Sequence, residues 1–104
     1  MHLTTQDRFD DHSIEQTIGL VRGNTIRARH LGKDILAAFR GVVGGEISEY
    51  TKMMAEAREQ ALDRMIANAE EMGADGITGI RFTSATVMSG AAEIVVYGTA
   101  VKLK

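Results

Sequence analysis

Asp75–Lys104, DGITGIRFTSATVMSGAAEIVVYGTAVKLK, reads as a β-hairpin. β-Branched and aromatic residues fill Ile77–Met88 and Ala91–Leu103, and Ser89-Gly90 between them is a two-residue turn signal. Such a turn sets the register. Phe82 then faces Tyr97, Ile80 faces Thr99, Ser84 faces Val95 and Thr78 faces Val101, all on one sheet face. The other face pairs Arg81 with Gly98, Gly79 with Ala100, Thr83 with Val96 and Ala85 with Ile94.

Upstream, Met54, Ala57, Ala61, Leu62, Met65, Ala69 and Met72 form one apolar stripe at helical spacing. Lys52, Glu56, Glu59, Asp63 and Glu70 occupy the opposite face. This predicts a helix over Ser48–Met72, with Ser48 as its N-cap and Gly73 as its left-handed stop. Gly32–Val43 carries apolar residues at three- and four-residue steps and predicts a shorter helix, broken by Gly44-Gly45. Ile14–Arg29, IEQTIGLVRGNTIRAR, has a strand-like pattern. Gly23-Asn24 within it is either a hairpin turn or a bulge, and the short flanking halves favour one long strand with a kink at that point. Residues 1–12 are polar and without periodicity, which predicts a flexible N-terminal tail ahead of a single domain over 13–104.

The order is β–α–α–β–β, an α+β fold with a three-stranded, mostly antiparallel sheet packed by one long helix. One helix covers one sheet face. In the register above, the other carries Ala85, Val87, Ile94, Val96 and Ala100, residues that avoid water. The expectation is that another subunit covers them.

With 104 residues, the chain has the size of one domain. Twelve basic residues against fourteen acidic ones give a net charge of −2, which argues against a protein built to grip nucleic acid. No cysteine is present, so thiolate metal sites, disulfides and a cysteine nucleophile are excluded. The first twelve residues lack the apolar core of a secretory signal and no run is long enough to span a bilayer, so a cytoplasmic protein without membrane contact is expected.

A family signature runs through Gly73-Ala74, Gly79-Ile80-Arg81-Phe82, Gly90-Ala91-Ala92-Glu93 and Tyr97-Gly98-Thr99-Ala100-Val101. With Gly19, Gly23, Phe39-Arg40, Gly44-Gly45, Tyr50 and Ala57-Arg58, these residues resemble the YbjQ-like family over about residues 13–102. Asp75-Gly76 stands where the family commonly has Asn-Ala, and the order of Thr83-Ser84-Ala85 also differs. The resemblance implies a dodecin-like subunit that assembles into a ring, usually a pentamer. The family is catalogued under a heavy-metal-binding description with no established reaction.

The residues themselves lend the metal description little support. Of His2, His12 and His30, only His12 has acidic neighbours, Asp7, Asp10 and Asp11, and they lie in the expected tail. Met53, Met54, Met65, Met72 and Met88 read as gap-filling packing. No metal or other cofactor is therefore expected. Arg81 and Glu93 are charges inside apolar strand patterns, on opposite faces in the register above, so each is expected to pair across a subunit boundary. Together with Tyr97 they are the candidate binding or inter-subunit residues. Arg22, Arg27, Arg29, His30, Lys33 and Arg40 form a basic stretch, and an anion or small ligand held by Arg27, Arg29 or Arg81 is a further reading. Ser84 and Ser89 have no histidine nearby in sequence, and no catalytic constellation is apparent. The expected function is that of a homo-oligomer with a binding or structural role, not an enzyme, with a divalent- or heavy-metal-binding protein as the alternative.

Overall fold

A computed structural model describes residues 1–28, 45–88 and 91–104. The elements are β1 (His2–Leu3), β2 (Ile14–Ala28), α1 (Gly45–Glu71), β3 (Gly76–Met88) and β4 (Ala91–Leu103). They form one mixed sheet of four strands in the order β1-β3-β4-β2, with α1 packed on one face. The α+β class is as expected, but the strand count rises from three to four. The extra strand comes from the segment read as a tail. His2 and Leu3 pair parallel to Gly76 and Ile77, and the amides of Gly79 and Ile80 donate to the carbonyls of Gln6 and Thr4. Such backbone pairing leaves no trace in hydrophobic periodicity, which is why the sequence pattern missed it. The expected short helix Gly32–Val43 and the Ser89-Gly90 turn lie outside the described residues.

The stripe on α1 is the one predicted. Ala57, Ala61, Met65 and Ala69 are buried, Met54 and Leu62 are half-buried, and Met72 is exposed at the end. Packed against them are Val21 of β2, Ile77 and Ile80 of β3, and Ile94, Val96 and Ala100 of β4. The helix starts three residues before the expected Ser48, so that serine lies inside it and does not cap it. The other end follows expectation. Gly73 has φ +80, its amide donates to the Glu70 carbonyl, and the Ala74 amide reaches back to Ala69, the paired bonds of a Schellman stop.

β2 is one long strand, as favoured, but its kink is not at Gly23. The register shifts fall near Glu15 and Ile18, while Gly23 pairs in step with Val96. Gly23 has another task. A Cβ there would collide with the Ala61 carbonyl and the Met65 amide, so α1 rests backbone to backbone on β2.

The hairpin register differs from the expectation. Met88 pairs with Ala91 as a two-residue turn requires, but a shift between Thr86 and Met88 moves every later pair by one. Arg81, not Phe82, therefore faces Tyr97, and Phe82 faces Val96. A second shift lies between Thr78 and Arg81, around Gly79 at φ +62. A left-handed glycine at a bulge lets Ile77 and Ile80, three residues apart, both point at α1. The expected faces are corrected accordingly. Ile94, Val96 and Ala100 form the core under the helix, and the face away from it carries Arg81, Ala85, Glu93, Val95 and Tyr97.

Candidate functional site

Strand pairing sets Arg22 of β2 opposite Tyr97 of β4, and Tyr97 opposite Arg81 of β3. These three residues form one row across the face away from α1. Glu93 shares that face four residues along β4, beside Ile26. Arg81, Glu93 and Tyr97 therefore lie on one surface, contrary to the expectation of opposite faces for the two charges. The reason is the bulge beside Met88, since one extra residue reverses the facing of all that follows. Arg81 and Glu93 do not pair with each other. Glu93 Oε2 accepts from Asn24 Nδ2 at 3.4 Å. Arg81 Nη1 donates to the Thr5 carbonyl at 2.7 Å and to the Ile80 carbonyl at 2.8 Å, so this guanidinium fastens the N-terminal segment to the sheet.

That segment covers one end of the open face. Gly76 pairs with Val101, and a Cβ on Gly76 would meet the Phe9 ring at 3.0 Å, so Phe9 lies over this pair. The His2 ring lies 4.3 Å from the His12 ring at a tilt of 46° and meets Phe9 edge-on at 6.0 Å. Asp11 Oδ1 accepts from His12 Nδ1 at 2.9 Å, and this bond holds the Asp11 carboxyl below its ordinary value of 3.8. The sequence offered one signal for this arrangement, the lone aromatic Phe9 in an otherwise polar stretch.

The two long edge strands differ. Side chains of α1 fold over β2, where Arg64 Nη1 donates to the Asn24 carbonyl at 2.7 Å and Asn68 Nδ2 to the Arg22 carbonyl at 2.8 Å. Arg27, from the basic stretch, donates Nη2 to Gln60 Oε1 at 2.9 Å. Arg29, His30, Lys33 and Arg40 lie outside the described residues. On β3 the N-terminal segment stops at Ile80, and from Arg81 to Met88 the outer edge has no backbone partner among the described residues. All eight of those residues are exposed. Between this half of β3 and α1 runs a groove of about 160 Å³, lined by Met54, Arg58, Phe82, Thr83, Ser84 and Ile94.

The described residues do not by themselves build a metal centre. Among the described residues no three histidine or carboxylate side chains converge on one point. The His2 and His12 rings lie 4.3 Å apart at a tilt of 46°, and Nδ1 of His12 is engaged by Asp11.

Comparison with known proteins places these features in a family. The YbjQ family, described as "Putative heavy-metal-binding", matches residues 1–104. A UPF0145 protein from Methanococcus vannielii is 58% identical over 104 residues, covering 100% of this chain and 99% of that one. A UPF0145 protein from Methanococcus maripaludis is 55% identical, covering 100% and 93%. Among solved structures, a protein of unknown function from Pediococcus pentosaceus, assigned to the DUF74 family, aligns with a TM-score of 0.70 at 18% identity, over 100% of this chain and 98% of that one. At that identity the likeness concerns the fold.

Proposed function

This chain belongs to the YbjQ-like family, and we propose that it acts as a self-assembling module. Identical subunits, five in number, close into a ring that has a binding or structural role in the cytoplasm and carries out no reaction of its own. The observation that carries this reading is the outer edge of β3, Arg81–Met88, which no described residue pairs. An unpaired strand edge is a template for another chain, and natural proteins normally blunt it. β2 is blunted by Arg64 and Asn68, whereas no described residue pairs the β3 edge, which displays Val87 (50% exposed) and Met88 (59%). A ring needs one patch on each subunit to meet a different patch on the next. Leu20 (70% exposed) and Ile26 (57%), on the open face of β2 at the far side of the sheet, supply the second patch. Tyr97, flanked by Arg22 and Arg81, lies between the two and has the composition of an interface anchor.

Native mass spectrometry on protein purified without added metal tests this. The expected species is five times the 11.3 kDa chain. A monomer at micromolar concentration overturns the assembly. A spectrum before and after chelation tests the family's metal description, and a stoichiometric mass lost to the chelator replaces the structural role with a metal-binding one.

A further inference from the structure

We propose that the groove between α1 and the outer half of β3 binds a small organic anion, a monocarboxylate with an apolar body. Its floor is apolar. Ile94 is buried, Met54 is half-buried, and Phe82 points to the helix side of the sheet because it pairs with the core residue Val96. The groove has one charged side chain, Arg58, and one hydroxyl side chain on the helix side of the sheet, Ser84, which pairs with Ile94; Thr83 pairs with Val95 and borders the groove by its backbone.

Arg58 is a cation that no described residue pairs. Helical ion pairs form at three- and four-residue spacing, and the residues at those distances are Met54, Ala55, Ala61 and Leu62, none of them acidic. No hydrogen bond or ion pair engages Arg58 among the described residues, whereas Arg64, the next arginine on the helix, is committed to the Asn24 carbonyl. An apolar slot with one guanidinium at its rim that no described residue pairs matches a ligand of the opposite pattern, an apolar body ending in a carboxylate. At about 160 Å³ the groove lies below the ~300–1,000 Å³ of sites for drug-sized molecules, which limits the body to a single aromatic ring or a short aliphatic chain. The other clefts are of a different kind. The one between the N-terminal segment and the end of β4 mixes His2, His12, Glu70, Asp75 and Lys104, and so favours neither sign of charge. All groove residues belong to one chain, and the ring contact proposed for β3 uses its outer edge, whereas the groove lies on the face toward α1.

Benzoate is the probe, with benzyl alcohol as its neutral counterpart, followed by amide chemical shifts on the full chain. Saturable binding is expected, one benzoate per chain, with shifts centred on Met54–Arg58 and Phe82–Ser84. Arg58→Gln should weaken binding about ten-fold, the order expected for losing one charge-assisted hydrogen bond. Glutamine is as good a helix former as arginine, and the helical circular-dichroism signal checks that the fold is kept. Lys52→Gln, outside the groove lining, should leave the affinity unchanged. No saturable binding, shifts centred elsewhere, equal affinity for benzyl alcohol, or an unaffected Arg58→Gln protein would each overturn the proposal.

Discussion

Gly23 is the point where β2 and α1 meet without side chains between them. Because a Cβ there would collide with helix backbone and not with a flexible side chain, the only relief is to move the helix away from the sheet. Gly23→Ala should therefore cost roughly 1–3 kcal/mol or more of unfolding free energy, read from the urea midpoint. Asp11 gives a test at the surface. Its carboxyl is lowered from 3.8, first by the His12 hydrogen bond. A lowered carboxylate adds stability that is fully present above the unfolded value and is lost as pH falls through the folded one. His12→Gln should raise the Asp11 titration midpoint in a carboxyl NMR titration, and an unchanged midpoint would disprove the contact. Arg81, read from the sequence as a charge seeking a partner across subunits, is tied to the Thr5 carbonyl of its own chain. Arg81→Met should speed amide exchange of Gly79 and Ile80 about ten-fold while amides between β2 and β4 keep their protection.

Among the elements, β3 departs most from simple alternation. Gly79 at φ +62 absorbs the extra residue that brings both Ile77 and Ile80 against the helix. An L-residue with a Cβ is disfavoured there by about 1–2 kcal/mol. Gly79→Ala should lower stability by that amount, measured by thermal unfolding, and should perturb the amide shifts of Gln6, whose carbonyl accepts from Gly79. The helix, by contrast, was legible almost residue by residue. Its apolar stripe predicted the buried set, and Gly73 predicted its end, because periodicity and a left-handed stop are local properties. Ser48 failed as a cap because the helix continues upstream of it to Gly45.

The whole molecule extends over 55 × 22 × 16 Å, long for a chain whose radius of gyration as a compact domain would be ~13 Å. The radius of gyration of this structure is 17.3 Å. In the outer half of the hairpin every residue of β3 from Arg81 to Met88 is exposed. The β3 edge that no described residue pairs is the surface the proposed ring would cover. A lysine placed in that edge should block strand addition without touching the core, since Val87 is already half in water. Val87→Lys is expected to shift the assembly to monomer by light scattering while the circular-dichroism spectrum stays unchanged. An intact oligomer would move the contact away from β3.

The sequence alone determined the α+β class, the long helix and its buried stripe, the single long first strand and the family. Each follows from local periodicity, helix-stop chemistry or motif spacing, which act over a few residues. Tertiary structure decided three things that local pattern cannot carry. The bulges in β3 chose which hairpin face meets the helix, since one inserted residue reverses every later side chain and alternation looks the same either way. The N-terminal segment became a fourth strand through backbone hydrogen bonds that are blind to side-chain identity. And Arg81, Glu93 and Tyr97 came onto one surface only because register, a relation between residues distant in the chain, set them there.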